Sequence, residues 1–267
     1  MVTSQDLQCL PREIAVIQTE DMMDPQHNID LDVQIGQEVA KELCPPVVRV
    51  WRSAHRRGIG VSRKDVSSAS GQIAKSTLMG ENCSVIVRQT GGTAVPQGDG
   101  VLHLSYLLPR TPNPATTDAY YRLLCDPLIQ WLNGYGIEAT TGALPGSYCD
   151  GTYNVLVEGQ KLVGTAQAWR GGLAGMKSPH PGYILAHACL TVDVDLKWAT
   201  TQINRFYELA EDEYRVNEAT SVNLKELAKG RFGPLNAVQA TLTAANDLAE
   251  FYHKYLAEAG IRVVDGQ

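Results

Sequence analysis

Positive charge is scarce in this chain. Lys and Arg number 23 against 29 Asp and Glu, a formal net charge of −6. A general nucleic-acid binder needs a dominant basic field to meet phosphates, so the balance argues against that class and leaves room only for a local basic patch. Long apolar runs are missing as well. No stretch approaches the roughly 20 apolar residues of a membrane span, and the first residues show no charged-then-apolar signal layout. A soluble cytoplasmic protein with no membrane partner is expected. Paired cysteines are also lacking. Cys9, Cys44, Cys83, Cys125, Cys149 and Cys189 form no C-x-x-C spacing, which argues against a zinc ribbon or a thioredoxin-like site. Free thiols suit such a chain better than a disulfide scaffold. The G-x-x-x-x-G-K-[ST] loop, the G-x-G-x-x-G turn and the H-E-x-x-H helix are absent too, and the scattered histidines suggest no metal site.

What is present is a patterned globular chain, 44% hydrophobic with 24 Gly. Apolar residues at Ile29, Val33, Ile35, Val39, Ala40 and Leu43 predict a helix that stops at Pro45-Pro46. Strands are predicted at 47–51, 59–61, 83–88 and 101–107, with a helix over 70–80. A third helix is predicted over 117–135, and another strand over 184–194. Residues 153–158 and 161–166 flank Gly159-Gln160, read as a hairpin with a type II′ turn and Gly first. The last 70 residues read as helices over 198–212, 222–229 and 234–258. Short turns between strands predict an α+β fold with a mixed, largely antiparallel sheet flanked by helices. No linker is visible. One catalytic domain over 1–267 is expected, with 198–267 a helical C-terminal cap.

Three segments could carry chemistry. In Arg88-Gln89-Thr90-Gly91-Gly92-Thr93 the paired glycines permit φ > 0 and close approach of a ligand, and successive N–H groups can form a nest for an anion or carbonyl; an ordinary turn reads equally well. Cys149 sits among Gly, Ser, Tyr and Asp, which is loop chemistry, whereas Cys125 and Cys189 lie beside apolar neighbours. It is the best candidate for an accessible thiol. Lys161 opens an apolar strand, either as a solvated hairpin-end lysine or as an ammonium aimed at a thiolate or carbonyl.

At these residues the chain resembles the lipoate–protein ligase and octanoyltransferase superfamily, which shares its catalytic fold with biotin protein ligase. The Arg-x-Ser/Thr-Gly-Gly turn runs from Arg88 into Gly100-Val101-Leu102-His103-Leu104-Ser105. A Gly-x-Lys-x-x-Gly-x-Ala-Gln run spans Gly159 to Gln167, and His187 opens a strand ending in Asp193-Val194-Asp195-Leu196. The Pro46-x-x-Arg49-x-Trp51 strand is similar as well. Gly146 to Tyr153 is similar to the Gly-Ser-Tyr-Cys-x-Gly-x-Tyr loop of the branch that passes an acyl group through a cysteine. Many ligases carry a third Gly and a His-Asp pair where Thr93 and Gln97-Gly98-Asp99 stand here, and the 170–181 loop is longer than usual.

The resemblance implies Cys149 as nucleophile and Lys161 as the family lysine. It implies that Arg88, Thr90, Gly91, Gly92, Thr93, Gly164, Thr165, Ala166 and His187 bind the acyl group. The strand Leu162-Val163-Gly164 would line an acyl tunnel, with Gly164 making room. Thioester transfer of octanoate or lipoate requires no cofactor; a ligase would need ATP and Mg. A third alternative is a family member that binds acyl groups or carriers without turnover. The implied partners are lipoyl carrier domains, such as a 2-oxoacid dehydrogenase E2 subunit or glycine cleavage H protein, or an acyl carrier protein. Arg49, Arg52, Arg56, Arg57, Arg63 and Lys64 form a basic stretch that could dock such a carrier or simply face solvent. A straight hairpin would hold Cys149 and Lys161 at opposite ends, about 30 Å apart along extended chain, so the Cys149 loop must fold back.

Overall fold

A computed structural model describes residues 2–22, 24–171 and 178–266. The strands are β1 Glu13–Glu20, β2 Val47–Arg52, β3 Gly58–Ser62, β4 Ser84–Arg88, β5 Val95–Gln97, β6 Val101–Pro109, β7 Thr140–Gly142, β8 Asn154–Val157, β9 Gln160–Arg170, β10 Tyr183–Thr191 and β11 Arg262–Val264. The α-helices are α1 Ser4–Leu7, α2 Pro25–Ala40, α3 Ala69–Gly80, α4 Thr117–Asn133, α5 Leu196–Leu209, α6 Leu224–Leu227, α7 Lys229–Phe232 and α8 Ala237–Glu258. Eight strands form one sheet in the order β11-β1-β2-β6-β10-β9-β8-β7. Its β1 pairs are parallel and the rest antiparallel. A small sheet, β4-β3-β5, pairs β3 with β4 in parallel, across α3. The expected α+β class and the mainly antiparallel sheet are both present.

Two local expectations need correction. The first helix lies over Pro25–Ala40 rather than 29–43. Asp24 caps its start by accepting from Gln26 N, and Pro25 brings a preset φ to the first turn. Past Ala40 the chain turns at Glu42, φ +58, before the prolines are reached, and Leu43 points into solvent. The β8–β9 turn is Glu158-Gly159, not Gly159-Gln160. Val157 pairs with Gln160, and both turn residues have positive φ, +50 and +79. That is the type I′ pattern, whose twist matches the strands it joins, with Gly second. Strands β1 and β11 were not anticipated. The three residues of β11 gain their structure from the parallel partner Glu13–Ala15.

Alternation along β2, β6 and β10 divides the large sheet into two faces. Val48, Val50, Leu102, Leu104, Tyr106, Leu108, Ile184, Ala186, Ala188 and Leu190 pack with α4 and α8 into the main core. Small residues of α8, Ala240, Ala244 and Ala245, let that helix approach closely, with Leu248, Tyr252 and Leu256 filling the rest. Each fully buried Leu there contributes about 2 kcal/mol. The opposite face packs on α2 through Val47, Leu107, Tyr183 and Leu185; Gly36 lies under the Tyr183 ring, where a Cβ would clash. Along the same face, Arg88, Val95 and Gln97 of the small sheet meet His103, Gly164 and His187 of the large one. α5 joins the small sheet's core through Ile203, Phe206 and Tyr207. No helix among the described residues is long and apolar enough to cross a membrane.

Candidate active site

The site is built on two rows of residues that step across neighbouring strands. Arg49, Ser105, His187 and Ala166 form one; Trp51, His103, Cys189 and Gly164 form the other. The first row is anchored beneath. Arg49, fully buried, pairs with Asp32 at 2.7 Å and donates to Asn28 O and Oδ1; Ser105 donates to the other Asp32 oxygen at 2.6 Å. Trp51 Nε1 donates to Ser105 Oγ at 3.0 Å. Every charged or polar head in this network has a partner, as burial requires.

Above the rows lies the Gly-Gly turn. Arg88 is buried and fans over it, donating to Thr90 Oγ1 at 3.0 Å, to Gly91 O and to Thr93 O at 2.6 Å. Thr90 Oγ1 is hydrogen-bonded to His187 Nε2 at 3.0 Å. Burial, with the Arg88 charge, lowers the His187 pKa to about 3, so this imidazole is neutral. Gly92 has φ +95, and a Cβ there would overlap Cys149 Sγ. That close approach places the thiol against the turn. Among the described residues, the N–H groups of Gly91 and Gly92 donate to nothing.

The Cys149 loop does fold back. Lys161 Nζ donates to Tyr148 O and, at 2.7 Å, to Cys149 O. Asn154 Nδ2 donates to the same Cys149 carbonyl at 2.8 Å. The Cys149 N–H donates to Thr93 Oγ1 at 2.9 Å and to Tyr214 Oη at 3.3 Å, and Tyr214 donates to Ser147 O at 2.6 Å. These contacts hold Cys149 at φ +60, a left-handed conformation that costs a non-glycine residue about 1 kcal/mol or more. Lys161 is 4% exposed. Burial drives its pKa down to about 8, against the opposing pull of the neighbouring thiols. Burial also pushes up the other five thiols, to about 11 at Cys83 and about 12 at Cys125 and Cys189. Those five stay protonated near neutral pH.

Arg88, Cys149, Gly164, Thr165, Ala166 and His187 line one small cavity, together with Ile29, Val95, Gln97, His103 and Cys189. Its free space is about 20 Å³. Three expectations change in detail. Leu162 and Val163 point into the main core and do not line the cavity. Gly164 makes room for Lys161, whose Nζ would stand 3.0 Å from a Cβ there. The Thr165 hydroxyl turns away to Tyr153 O. The basic stretch is not one face either: Arg49 and Arg52 are buried on Asp32 and Glu20, and Arg57 pairs with Asp195 and stacks on Trp198. Arg63 and Lys64 instead rim a groove of about 640 Å³ beside Gly91-Gly92, with Arg170, Tyr207 and Tyr214. Of the 170–181 loop, residues 172–177 lie outside the described residues.

The family described as the lipoyl protein ligase A/B catalytic domain matches residues 24–245. This chain belongs to that family. Over 201 residues it is 37% identical to octanoyl-[GcvH]:protein N-octanoyltransferase of Kyrpidia tusciae, covering 74% of this chain and 68% of that protein. It is 33% identical over 196 residues to an uncharacterized protein of Cupriavidus necator, covering 69% and 76%. Its fold is similar to that of lipoate-protein ligase A bound with ATP, with a TM-score of 0.66 at 16% identity over 95% of this chain and 87% of the other. Within this lipoyl protein ligase A/B family chain, Thr93 stands where many ligases have a third glycine, and here its hydroxyl accepts the Cys149 amide. Gln97, in the position of the ligases' histidine, accepts from Ser53 and His103. His103, Asn154 and Tyr214 escaped the sequence reading. The polar His and Ser between leucines in Val101–Leu107 were the signal for His103; Tyr214 lies 65 residues beyond Cys149 and has none.

Proposed function

We propose that this chain is an octanoyltransferase that carries an octanoyl group as a Cys149 thioester and delivers it to a lysine of a lipoyl carrier domain. The glycine cleavage H protein is one such carrier, a reading supported by the names of the relatives. The observation that carries the proposal is the Cys149 thiol packed on Gly92, with its backbone held by Thr93, Tyr214, Asn154 and Lys161. The Cys149 thiolate attacks the donor's acyl carbonyl and forms a tetrahedral oxyanion. The unpaired N–H groups of the Gly91-Gly92 turn, on which the thiol packs through Gly92, serve as donors to that oxyanion, and the Lys161 ammonium adds positive charge. Collapse breaks the bond to the donor lysine nitrogen, which leaves with a proton. The acceptor lysine amine then attacks the thioester, loses a proton, and expels the thiolate as the new amide forms. No step consumes ATP. The groove rimmed by Arg63, Lys64 and Arg170 opens at the same turn and suits a lysine presented on an acidic carrier.

Intact-mass analysis after mixing with octanoylated H protein tests this reading. A hydroxylamine-labile octanoyl adduct on Cys149, formed without ATP, is expected. Full transfer by Cys149→Ala, or pyrophosphate release that depends on ATP and lipoate, would overturn it.

A further inference from the structure

The first turns of α2 are tied to both sheets. Gln26 meets the Val87 backbone of β4 twice, donating to its carbonyl at 3.1 Å and accepting from its N–H at 2.8 Å. Asn28 and Asp32 receive the Arg49 guanidinium of β2. Ile29 lies between these ties. It is 5% exposed, packs on Trp51 of β2 and Ile86 of β4, and lines the cavity that Cys149 shares with Gly164. Ile29 therefore spans the seam between the large sheet and the small one. Its backbone is fixed from both sides by buried polar contacts, which set geometry more tightly than apolar packing does.

Strand register gives its distance from the thiol. Lys161 Nζ holds the Cys149 carbonyl at 2.7 Å and abuts Gly164, so Cys149 stands at the Gly164 end. Gly164, Cys189, His103 and Trp51 lie opposite one another on β9, β10, β6 and β2. With strands about 4.8 Å apart, Gly164 is about 10 Å from His103 and about 14 Å from Trp51. An extended chain advances about 1.2 Å per bond, so the eight bonds from Sγ to the last carbon of an octanoyl group cover about 10 Å. That length reaches His103. One strand further on, Ile29 and Trp51 pack together.

Resting on the transferase reading above, we propose that Ile29 is the end wall that sets acyl-chain length. A chain of eight carbons stops short of it, and a longer one meets a side chain that its two ties hold in place.

The test compares wild type, Ile29→Ala and Ile29→Phe. Thioester formation on Cys149 is followed by intact mass with hexanoyl-, octanoyl- and decanoyl-H protein. Binding of the three free acids is measured in parallel by calorimetry. Each readout is a ratio between chains within one protein, so a smaller folded fraction in a variant cancels. A buried methylene is worth roughly fourfold in affinity, and two are worth more than about tenfold. Wild type should favour octanoyl over decanoyl by about tenfold or more in both readouts. Ile29→Ala, which deletes three carbons from the wall, should take decanoyl at least as well as octanoyl. Ile29→Phe, which extends the wall, should favour hexanoyl over octanoyl. The same chain ratios in all three proteins overturn the proposal, as does the absence of both loading and binding. If the chains load and the ratios do not move, Ile29 is excluded and the transferase reading stands. If no chain loads while the binding ratios still shift in Ile29→Ala and Ile29→Phe, the transferase reading falls and the end wall stands.

Discussion

The two faces of the large sheet are built from the same strands and do opposite work. On β6, Leu102, Leu104 and Tyr106 face the main core, while His103 and Ser105 face the site. On β10, Ile184, Ala186, Ala188 and Leu190 face the core, while His187 and Cys189 face the site. One face is held by apolar burial, which is non-directional and tolerates swaps of similar volume. The other is apolar where it packs on α2, but around the site it is held by hydrogen bonds and an ion pair, which fix geometry and tolerate little. Stability and chemistry are thus separated by a period of two residues. A substitution one position along a strand should change which property suffers.

The sharpest way to break this comparison pairs Cys149→Ala with Leu104→Ala. Cys149→Ala should lower acyl transfer by at least about 10⁴-fold, the scale of losing a nucleophile, with little change in unfolding free energy. Leu104, 1% exposed in the main core, should show the reverse: Leu104→Ala should cost about 2–5 kcal/mol in urea unfolding, and the fraction that remains folded should keep its turnover per thiol. If Cys149→Ala melts the protein or Leu104→Ala spares it, the division of faces is wrong. A cut across the boundary comes next. Asp32 faces the site but anchors Arg49. Asp32→Ala leaves a fully buried guanidinium without its carboxylate and should cost about 3–5 kcal/mol. A loss under 1 kcal/mol would mean that the polar face adds nothing to stability.

How much of this was legible in the sequence follows from the same division. Strand β6 was readable because its alternation is local. The Arg88 turn and Cys149 were readable because each lies in a short motif of loop-type residues, and Lys161 because a charge opens an otherwise apolar strand. Their meeting was not readable. It depends on a loop folding back over a hairpin, and on a tyrosine from beyond α5 reaching the Cys149 amide. Strand β11 was invisible because three residues carry no period of their own. Gly164 was legible as a required glycine, but the side chain that fills its space became clear only in three dimensions.

Lys161 sharpens the comparison because it puts a charge on the wrong side of the stability ledger. Folding lowers its pKa from 10.5 to about 8. Below pH 8 the folded chain must keep an ammonium buried. Between pH 8 and 10.5 the unfolded chain holds that proton while the folded one releases it. Stability therefore rises with pH across that window, by roughly 3 kcal/mol at most from this group. Measured as wild type minus Lys161→Met from pH 7.5 to 10.5, the difference should climb toward that value. A flat difference would place the Lys161 ammonium in water rather than among the loop carbonyls.

The smallest expected effect falls on Tyr214, which helps hold the strained Cys149 from outside the two sheets. Its hydroxyl accepts from Cys149 N and donates to Ser147 O. Tyr214→Phe removes both bonds and keeps the ring that packs on Tyr207. Each lost bond is worth about 1 kcal/mol, and Thr93 still accepts from the Cys149 amide at 2.9 Å. The loop therefore loosens without unfolding. Unfolding free energy should fall by about 1–2 kcal/mol. Loading of Cys149 should slow by about tenfold, as expected when a nucleophile is less well oriented. A purely structural tyrosine would lower stability and leave the rate per folded molecule untouched. A positioning tyrosine lowers kcat for loading with KM unchanged, so the split between the two constants decides its role.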